Sequence, residues 1–143
     1  MFVADILKDK GSEVVSIGPE ESALAAARLL AKCGIGSVLV LDANRDILGI
    51  LSERDLAHGL ARDAGSVLHR RVRDLMTQDV MVCTPGDTLH SVMERMTHGR
   101  FRHLPVVDNG ALIGIVSIGD IVKHRLAEQA AEAEALKSYI TSA

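Results

Sequence analysis

Two consecutive stretches decide the fold, GRFRHLPVVD at residues 99–108 and LIGIVSIGD at residues 112–120. The first has a basic start and an apolar centre, and the second is apolar up to Ser117. Between them lies Asn109-Gly110, a dipeptide typical of two-residue hairpin turns because both residues tolerate positive φ. The pattern predicts a basic loop, a buried strand, a tight turn, a second buried strand and a helix start, in that order.

The same pattern occurs earlier in the chain in a plainer form. An offset of 66 residues places Pro19 on Pro85 and Asp42 on Asp108 without a gap. After one deletion in the turn the offset is 65, which aligns Gly49 with Gly114, Ser52 with Ser117 and Asp55 with Asp120. The offset also aligns two apolar helix faces with i, i+3, i+4, i+7 spacing, namely Ala23, Ala26, Ala27 and Leu30 with Leu89, Val92, Met93 and Met96. The chain therefore contains an internal repeat of two copies.

Each repeat is predicted to contain a strand, a helix, two hairpin strands and a second helix. In the first repeat these are residues 14–17, 20–33, 38–41, 47–51 and 52–64, and in the second 80–83, 87–98, 103–107, 112–116 and a helix from Ser117. A short helical lead-in is predicted at residues 2–9, and its Asp5-Ile6-Leu7 resembles Asp74-Leu75-Met76 in the connecting segment. The strands are apolar throughout, so both faces of each sheet should be covered. The tail from Leu126 is rich in Ala and Glu, which favour helix.

Composition limits the function classes. The 143 residues carry a net charge of −3 and only 2% aromatic residues, which argues against a general nucleic-acid-binding surface. No apolar run approaches the roughly 20 residues of a membrane span, and the N-terminus lacks the features of a signal peptide. Cys33 and Cys83 have neither metal-binding nor redox spacing, and the six histidines are scattered. We expect a soluble cytoplasmic protein with buried free thiols and no metal site, although pairing of the two cysteines stays open.

The doubled pattern resembles the cystathionine-β-synthase (CBS) domain pair, or Bateman module. The resemblance rests on Gly99-x-x-Arg102-His103-x-Pro105-Val106-Val107-Asp108, on Gly114-Ile115-Val116-Ser117-x-x-Asp120 and on residues 49–55, GILSERD. It implies an α/β (α+β) fold of tandem β-α-β-β-α repeats with two small sheets, helices packed on them and pseudo-two-fold symmetry. The domains would be residues 1–66, the first repeat with its lead-in, residues 67–126, the second repeat, and residues 127–143, a helical tail.

The resemblance also implies a function. Such modules bind adenosine-containing ligands such as AMP, ADP, ATP, NAD(H) or S-adenosylmethionine, and they usually pair into flat homodimers. The leading hypothesis is therefore a non-catalytic sensor that binds an adenine nucleotide in the clefts between the two repeats and modulates an unknown partner protein.

The two Ser-x-x-Asp pairs, Ser52 with Asp55 and Ser117 with Asp120, are the candidate ribose sites. A carboxylate can accept hydrogen bonds from both ribose hydroxyls, and a helix N-terminus also suits phosphate. The alternative is a capping box, in which the Asp side chain reaches back to the N–H of the capping residue. Both interpretations stay open, and one carboxylate can serve both roles in turn.

Basic residues in front of the second-repeat strand are the candidate phosphate ligands. They are Arg100, Arg102 and His103, of which Arg102 holds the family's basic position three residues before the proline. The first repeat has Gly36 and Ser37 instead of Arg102 and His103, so the two sites should be unequal, with Arg54 as a further candidate. The alternative is a solvated basic loop, with Arg54 paired to Asp55.

The adenine ring needs an apolar slot with backbone edges. Candidates are Ile17, Ile35 and Val38 in the first repeat and Val82, Thr84, Leu104 and Pro105 in the second. The Thr84 hydroxyl could also hydrogen-bond the nucleotide. Each apolar candidate is alternatively an ordinary core residue, because binding pockets share their walls with the core.

Three other function classes make different demands on the sequence. An enzyme would need a nucleophile, a positioned base or a metal site, and no such cluster is evident in the sequence. A nucleic-acid binder would use the arginines at 70, 71, 73, 100 and 102. A charge cluster such as residues 69–73 is, however, more often a solvated face than a binding site. A purely structural dimerisation unit would use the C-terminal helix as its partner surface.

Overall fold

The computed structural model describes residues 1–142 and has mixed α and β architecture. The helices are α1 (Val3–Lys10), α2 (Ala23–Cys33), α3 (Glu53–Asp63), α4 (Val72–Leu75), α5 (Leu89–Gly99) and α6 (Ile118–Ser142), with a 3-10 helix at Ala64–His69. The strands are β1 (Ser16–Ile17), β2 (Ser37–Leu41), β3 (Ile47–Ser52), β4 (His103–Asp108) and β5 (Ala111–Ser117). The repeat of helix, hairpin and helix expected from the sequence is confirmed, with element ends shifted by a few residues.

Two compact units make up the chain, and they do not follow the order of the sequence. One unit is Val14–Met81, and the other joins Met1–Glu13 to the chain from Val82 onward. The unit of the first repeat is built around Ala26, Leu30, Val38, Val40, Leu51 and Val72. The unit of the second repeat is built around Val3, Ile6, Cys83, Leu89, Val92, Met96, Leu104, Val106, Val116 and Ile121. The lead-in α1 therefore lies in the unit of the second repeat.

The two lead-in segments are attached by the same set of backbone hydrogen bonds. In one unit these are Val3 N to Asp87 O (2.9 Å), Ala4 N to Pro85 O (3.0 Å) and Leu89 N to Met1 O (3.3 Å). In the other they are Val72 N to Glu21 O (2.8 Å), Arg73 N to Pro19 O (3.0 Å) and Ala23 N to Arg70 O (2.8 Å). The segment that precedes each repeat thus completes the unit built on the other repeat.

The repeated glycines Gly49 and Gly114 lie where a lead-in segment crosses a strand. A Cβ atom on Gly49 would lie 2.7 Å from Thr77 O and 2.8 Å from the Met76 Sδ. A Cβ atom on Gly114 would lie 2.7 Å from a methyl group of Leu7. Because carbon atoms normally approach no closer than about 3.5 Å, only glycine lets the lead-in segments pack this closely.

The sheets of the two units differ in their first strand. In the first-repeat unit, β1 pairs in parallel with β2, which pairs antiparallel with β3. In the second-repeat unit the predicted strand at residues 80–83 is wrong, since only Cys83 forms a parallel bridge, to Val106. Cys83 N donates to Pro105 O at 2.9 Å. The next bond of a parallel ladder would need the N–H of Pro105, which proline lacks, so the strand ends there.

The helix ends follow local sequence signals. The side chains of Ser22 and Thr88 cap α2 and α5, each accepting a backbone N–H at 3.1 Å. Both helices end in a left-handed residue, which is Gly34 after α2 and Arg100, with φ 56°, after α5. Left-handed backbone is unfavourable for a residue with a Cβ atom, so Arg100 occupies a position suited to glycine.

One further expectation, the burial of both cysteines, needs correction. Cys33 is exposed rather than buried, while Cys83 is buried, and both thiols are free. Phe101 is half-buried and packs against the core of the second-repeat unit. Helix α6 runs without a break from Ile118 to Ser142 and includes the residues of the predicted helical tail up to Ser142.

Candidate functional site

In the second-repeat unit the candidate carboxylate lies at the N-terminus of α6. Ser117 N donates to Oδ2 of Asp120 at 2.9 Å, and Asp120 N donates to the Ser117 Oγ at 3.1 Å. This is a capping box. The Oδ1 atom of Asp120 has no hydrogen-bond partner within residues 1–142. The capping interpretation is therefore correct, and the half-buried Asp120 keeps one carboxylate oxygen that can accept a ligand.

Lys10, from the lead-in helix α1, is an additional residue at this carboxylate. Its Nζ donates to Oδ2 of Asp120 at 2.6 Å. Burial by itself would raise the pKa of Asp120, but the Lys10 ammonium and the Ser117 hydrogen bonds hold that pKa below its usual value. Asp120 is therefore ionised at neutral pH, with a cation directly beside it. The sequence reasoning missed Lys10, although the similarity of residues 5–7 to residues 74–76 was the available signal.

The first-repeat unit has the same arrangement at the start of α3. Ser52 N donates to Oδ2 of Asp55 at 2.9 Å, and Asp55 N donates to the Ser52 Oγ at 3.2 Å. The other carboxylate oxygen accepts the Thr77 hydroxyl at 3.4 Å. Thr77 follows α4, so each carboxylate receives its third partner from a lead-in segment. Arg54 is exposed and forms no ion pair with Asp55 or any other residue from 1 to 142.

The basic candidates of the second repeat lie around the start of β4. The Arg102 carbonyl accepts from Ile118 N at 2.8 Å, which fixes this residue beside the N-terminus of α6, and its side chain is exposed. Arg100 is exposed at the end of α5. His103 pairs with Ser117 across the hairpin. Burial and the Lys10 ammonium hold the pKa of His103 below its usual value, against the opposing effect of Asp120. At neutral pH His103 is therefore a polar group and not a cation.

The apolar candidates divide into core and surface residues. Val38, Leu104 and Pro105 are buried. Ile17 and Ile35 are half-buried and pack against the first-repeat core. Of the second-repeat candidates, Val82 and Thr84 are exposed.

Thr84 begins a turn that is fixed by Asp87. Thr84 N donates to Oδ2 of Asp87 at 2.8 Å, and Arg95 contacts the same carboxylate at 3.4 Å. Arg95 also donates to the backbone carbonyl of Val82. The hydroxyl of Thr84 forms no hydrogen bond within the described chain and remains available.

The arginines of the linker are paired with acidic groups. Arg70 bonds Asp63 at 3.0 Å, and Glu20 accepts from both Arg71 and Arg73. The Arg70 hydrogen bond, together with Arg62, holds the pKa of Asp63 below its usual value although burial opposes this effect. The solvated-face interpretation of this cluster is favoured, because its charge is largely balanced locally.

Residues 1–142 contain neither a metal-binding cluster nor a membrane-spanning helix. No group of three or more His, Cys, Asp or Glu side chains is placed to hold a metal ion. No helix within these residues is both long and apolar enough to span a membrane.

The repeated Ser-x-x-Asp boxes, each at the end of a hairpin, agree with the comparison to known families. The model of the CBS domain matches twice, at residues 3–62 and 72–127. The chain belongs to the CBS domain family. These two matches make it a CBS domain pair with tandem CBS architecture.

Solved CBS structures share this fold. A CBS-domain containing protein from Agrobacterium tumefaciens is 46% identical, with a TM-score of 0.84 over 87% of this chain and 99% of its own. CBSX2 in complex with AMP is 27% identical, with a TM-score of 0.73 over 90% and 98% of the two chains. The CBS domain pair of protein MJ0100, in complex with 5′-methylthioadenosine and S-adenosyl-L-methionine, is 25% identical with a TM-score of 0.74, over 86% and 98%.

Curated relatives cover a wide range of lengths. CBSX3, a mitochondrial CBS domain-containing protein of Arabidopsis thaliana, is 27% identical over 96% of this chain and 71% of its own length. In contrast, the chain spans only 31% of a Thermofilum pendens protein and 19% of a homoserine O-acetyltransferase of Methanosphaera stadtmanae.

Proposed function

We propose that this CBS pair is a non-catalytic regulatory module that binds an adenosine-containing ligand. The ribose would be held by the carboxylate of Asp120, and Asp55 would serve the same role in the other repeat. AMP, ADP, ATP, NAD(H) and S-adenosylmethionine are the ligands to test. Two similar CBS pairs support this proposal, because one is in complex with AMP and the other with two adenosine-containing compounds.

The observation that carries the proposal is the state of the Asp120 carboxylate. It is ionised and half-buried at a helix N-terminus, and Oδ1 has no partner within residues 1–142. An ionised carboxylate is a strong acceptor for a vicinal diol, since hydrogen bonds to charged groups contribute about 1.5–3 kcal/mol each. The ligand would need only to add bonds to Oδ1, or to take over Oδ2 by displacing Lys10.

Because basic residues lie beside Asp120, the second repeat is the stronger candidate site for a phosphate-bearing ligand. Lys10 lies 2.6 Å from Asp120, and Arg102 is fixed by its backbone at the start of the same helix. The first repeat has Gly36 at the position of Arg102 and Thr77 as the third partner of Asp55. We therefore expect phosphate to be bound near Asp120, with Asp55 suited to a neutral nucleoside part.

The test is calorimetric titration of nucleotide-free protein with AMP, ATP, NAD(H) and S-adenosylmethionine. Asp120→Asn keeps the shape of the side chain but removes its charge, so binding should weaken by about tenfold or more. Asp5→Asn is the matched control, because Asp5 is also a capping-box carboxylate of this unit, accepting from Phe2 N at 2.8 Å. Its binding should equal that of the wild type.

Other results would change the proposal in distinct ways. Binding that is unaffected by Asp120→Asn but lost in Asp55→Asn would move the ribose to the first repeat. Equal losses in Asp120→Asn and Asp5→Asn would show a general effect of capping on stability. If none of the four compounds binds saturably, the sensor function is wrong for this chain.

Location, assembly and regulation belong to the same proposal. We expect a cytoplasmic protein that forms homodimers and changes the activity of a partner protein when the ligand binds. Nucleic-acid binding is not expected, because the linker arginines are paired with Asp63 and Glu20.

A further inference from the structure

The last half of α6 extends beyond the CBS fold. The family match ends at residue 127, whereas the helix continues to Ser142. Ile121 and His124 anchor its first turns in the second-repeat unit, where both are buried. From residue 129 to residue 142 every side chain is exposed. The extension is therefore a helix whose side chains are all exposed, and a helix this exposed is marginal in water.

One face of α6 carries an exposed stripe with seven-residue periodicity. The α6 stripe consists of Val122, Leu126, Gln129, Ala133, Leu136 and Ile140, whose spacing alternates between four and three residues. This is the a/d spacing of a two-stranded coiled coil. Its large members are 44%, 61%, 60% and 65% exposed at Val122, Leu126, Leu136 and Ile140 respectively. At about 100° per residue the stripe lies well to one side of Ile121, so packing in the unit leaves it open.

The charges beside the α6 stripe identify its partner. With Leu126 at an a position, Glu132 falls at g and Lys137 at the following e position. Neither side chain forms an ion pair within residues 1–142. In a parallel pair of identical helices, Glu132 of each copy faces Lys137 of the other, which gives two attractive contacts. In an antiparallel pair g faces g and e faces e, so Glu132 meets Glu132 and the charges repel.

From the spacing, exposure and charge of this helix we infer that the α6 stripe is a self-association surface that pairs two copies of this chain as a parallel coiled coil. Gln129 occupies a d position, where its side-chain amide can hydrogen-bond the same residue of the second copy across the interface. A polar core position of this kind specifies register at some cost in stability. The pairing would bring two CBS modules together, and four of the six stripe residues, from Gln129 onward, lie beyond the end of the family match at residue 127.

Site-directed cross-linking tests the pairing locally and is independent of any contact between the CBS units. In a Cys33→Ser background, Ile140→Cys places a thiol on the α6 stripe, and Ser138→Cys places one on the opposite face. Parallel pairing predicts a rapid disulfide-linked dimer for Ile140→Cys under mild oxidation and little for Ser138→Cys. An antiparallel pair would place residue 140 beside residue 122 and give no 140–140 link. Equal cross-linking of the two variants, or none in either, would overturn the inference.

Charge reversal provides the second test, read out as the dimer dissociation constant by sedimentation equilibrium. In the chain that keeps Ile140, Glu132→Lys should raise the dimer dissociation constant several-fold, because each new lysine faces Lys137 of the other copy. The double variant Glu132→Lys with Lys137→Glu should restore it, since the attractive pairs are re-formed with exchanged signs. If the double variant is as weak as the single variant, or if Glu132→Lys has no effect, the proposed register is wrong.

Discussion

Replacing Gly114 with alanine should expose the packing of the lead-in helix on β5. The added Cβ atom would lie 2.7 Å from Leu7 Cδ2, about 1 Å inside normal contact. The backbone of Gly114 is not left-handed, so the cost comes from this clash alone. Such overpacking typically costs about 1–3 kcal/mol of unfolding free energy.

A double-mutant cycle isolates the contact. Leu7→Ala removes a half-buried side chain and should cost about 1–2 kcal/mol, below the range for fully buried leucine. In Leu7→Ala/Gly114→Ala the clash is gone, so the double variant should be about as stable as Leu7→Ala alone. The expected coupling of about 1–3 kcal/mol would be measured by urea unfolding followed by circular dichroism.

The other repeat supplies the control for this cycle. At Gly49 the added Cβ would meet both the Met76 side chain and the backbone oxygen of Thr77, at 2.7 Å. Trimming the side chain with Met76→Ala therefore should not rescue Gly49→Ala. Additive effects of Leu7→Ala and Gly114→Ala, within about 0.5 kcal/mol, would refute the packing of α1 on β5.

Three further outcomes follow from single residues. Arg100→Gly should raise the free energy of unfolding by about 0.5–1 kcal/mol, because residue 100 has φ 56°, which glycine adopts without strain. Urea unfolding would measure this change, and a loss of stability would contradict the reasoning. A thiol reagent at pH 8 should label the exposed Cys33 quickly and leave Cys83 unmodified in the folded chain. Burial is the main cause that raises the pKa of Cys83 to about 12, so little reactive thiolate is present. Rapid labelling of two thiols per chain would contradict this prediction. The pKa of Asp120 is lower in the folded chain than in the unfolded chain, where it is near 3.9. The ion pair with Lys10 therefore stabilises the fold at pH values above the unfolded-state pKa, and this stabilisation is lost as the pH falls through the folded-state pKa. Lys10→Met should therefore cost about 0.5–1 kcal/mol at pH 7 and progressively less below pH 4, and a pH-independent cost would point to packing instead.

Much of the fold could be predicted from the sequence because its signals are local. Asn109-Gly110 predicts the β4–β5 hairpin, and the apolar spacing predicts α2 and α5. The Ser-x-x-Asp pairs predict the starts of α3 and α6, where the capping boxes are present. The assignment of adenosine ligands to these boxes came from the family resemblance, and the individual site residues stay predictions.

Long-range placement could not be predicted in the same way. The similarity of residues 5–7 to residues 74–76 was visible, but sequence order suggested that each segment serves the repeat it precedes. The structure shows the reverse, with Leu7 against Gly114 and Met76 against Gly49. The sequence also contains Pro105, but proline ends the strand predicted at residues 80–83 only if its nitrogen faces that segment. The sequence does not say which neighbouring strand the nitrogen faces.

The sequence by itself determined the repeat, through residues that match at offsets of 65 and 66 positions. It also determined most of the helices, the hairpins and the caps, because these depend on residues within one or two turns of chain. Only the tertiary structure decided that Lys10 lies on Asp120, 110 positions away, and that α6 leaves an apolar stripe exposed. Those features depend on which surfaces meet when the chain closes, and hydrophobic burial is non-directional, so apolar spacing alone does not specify the partner.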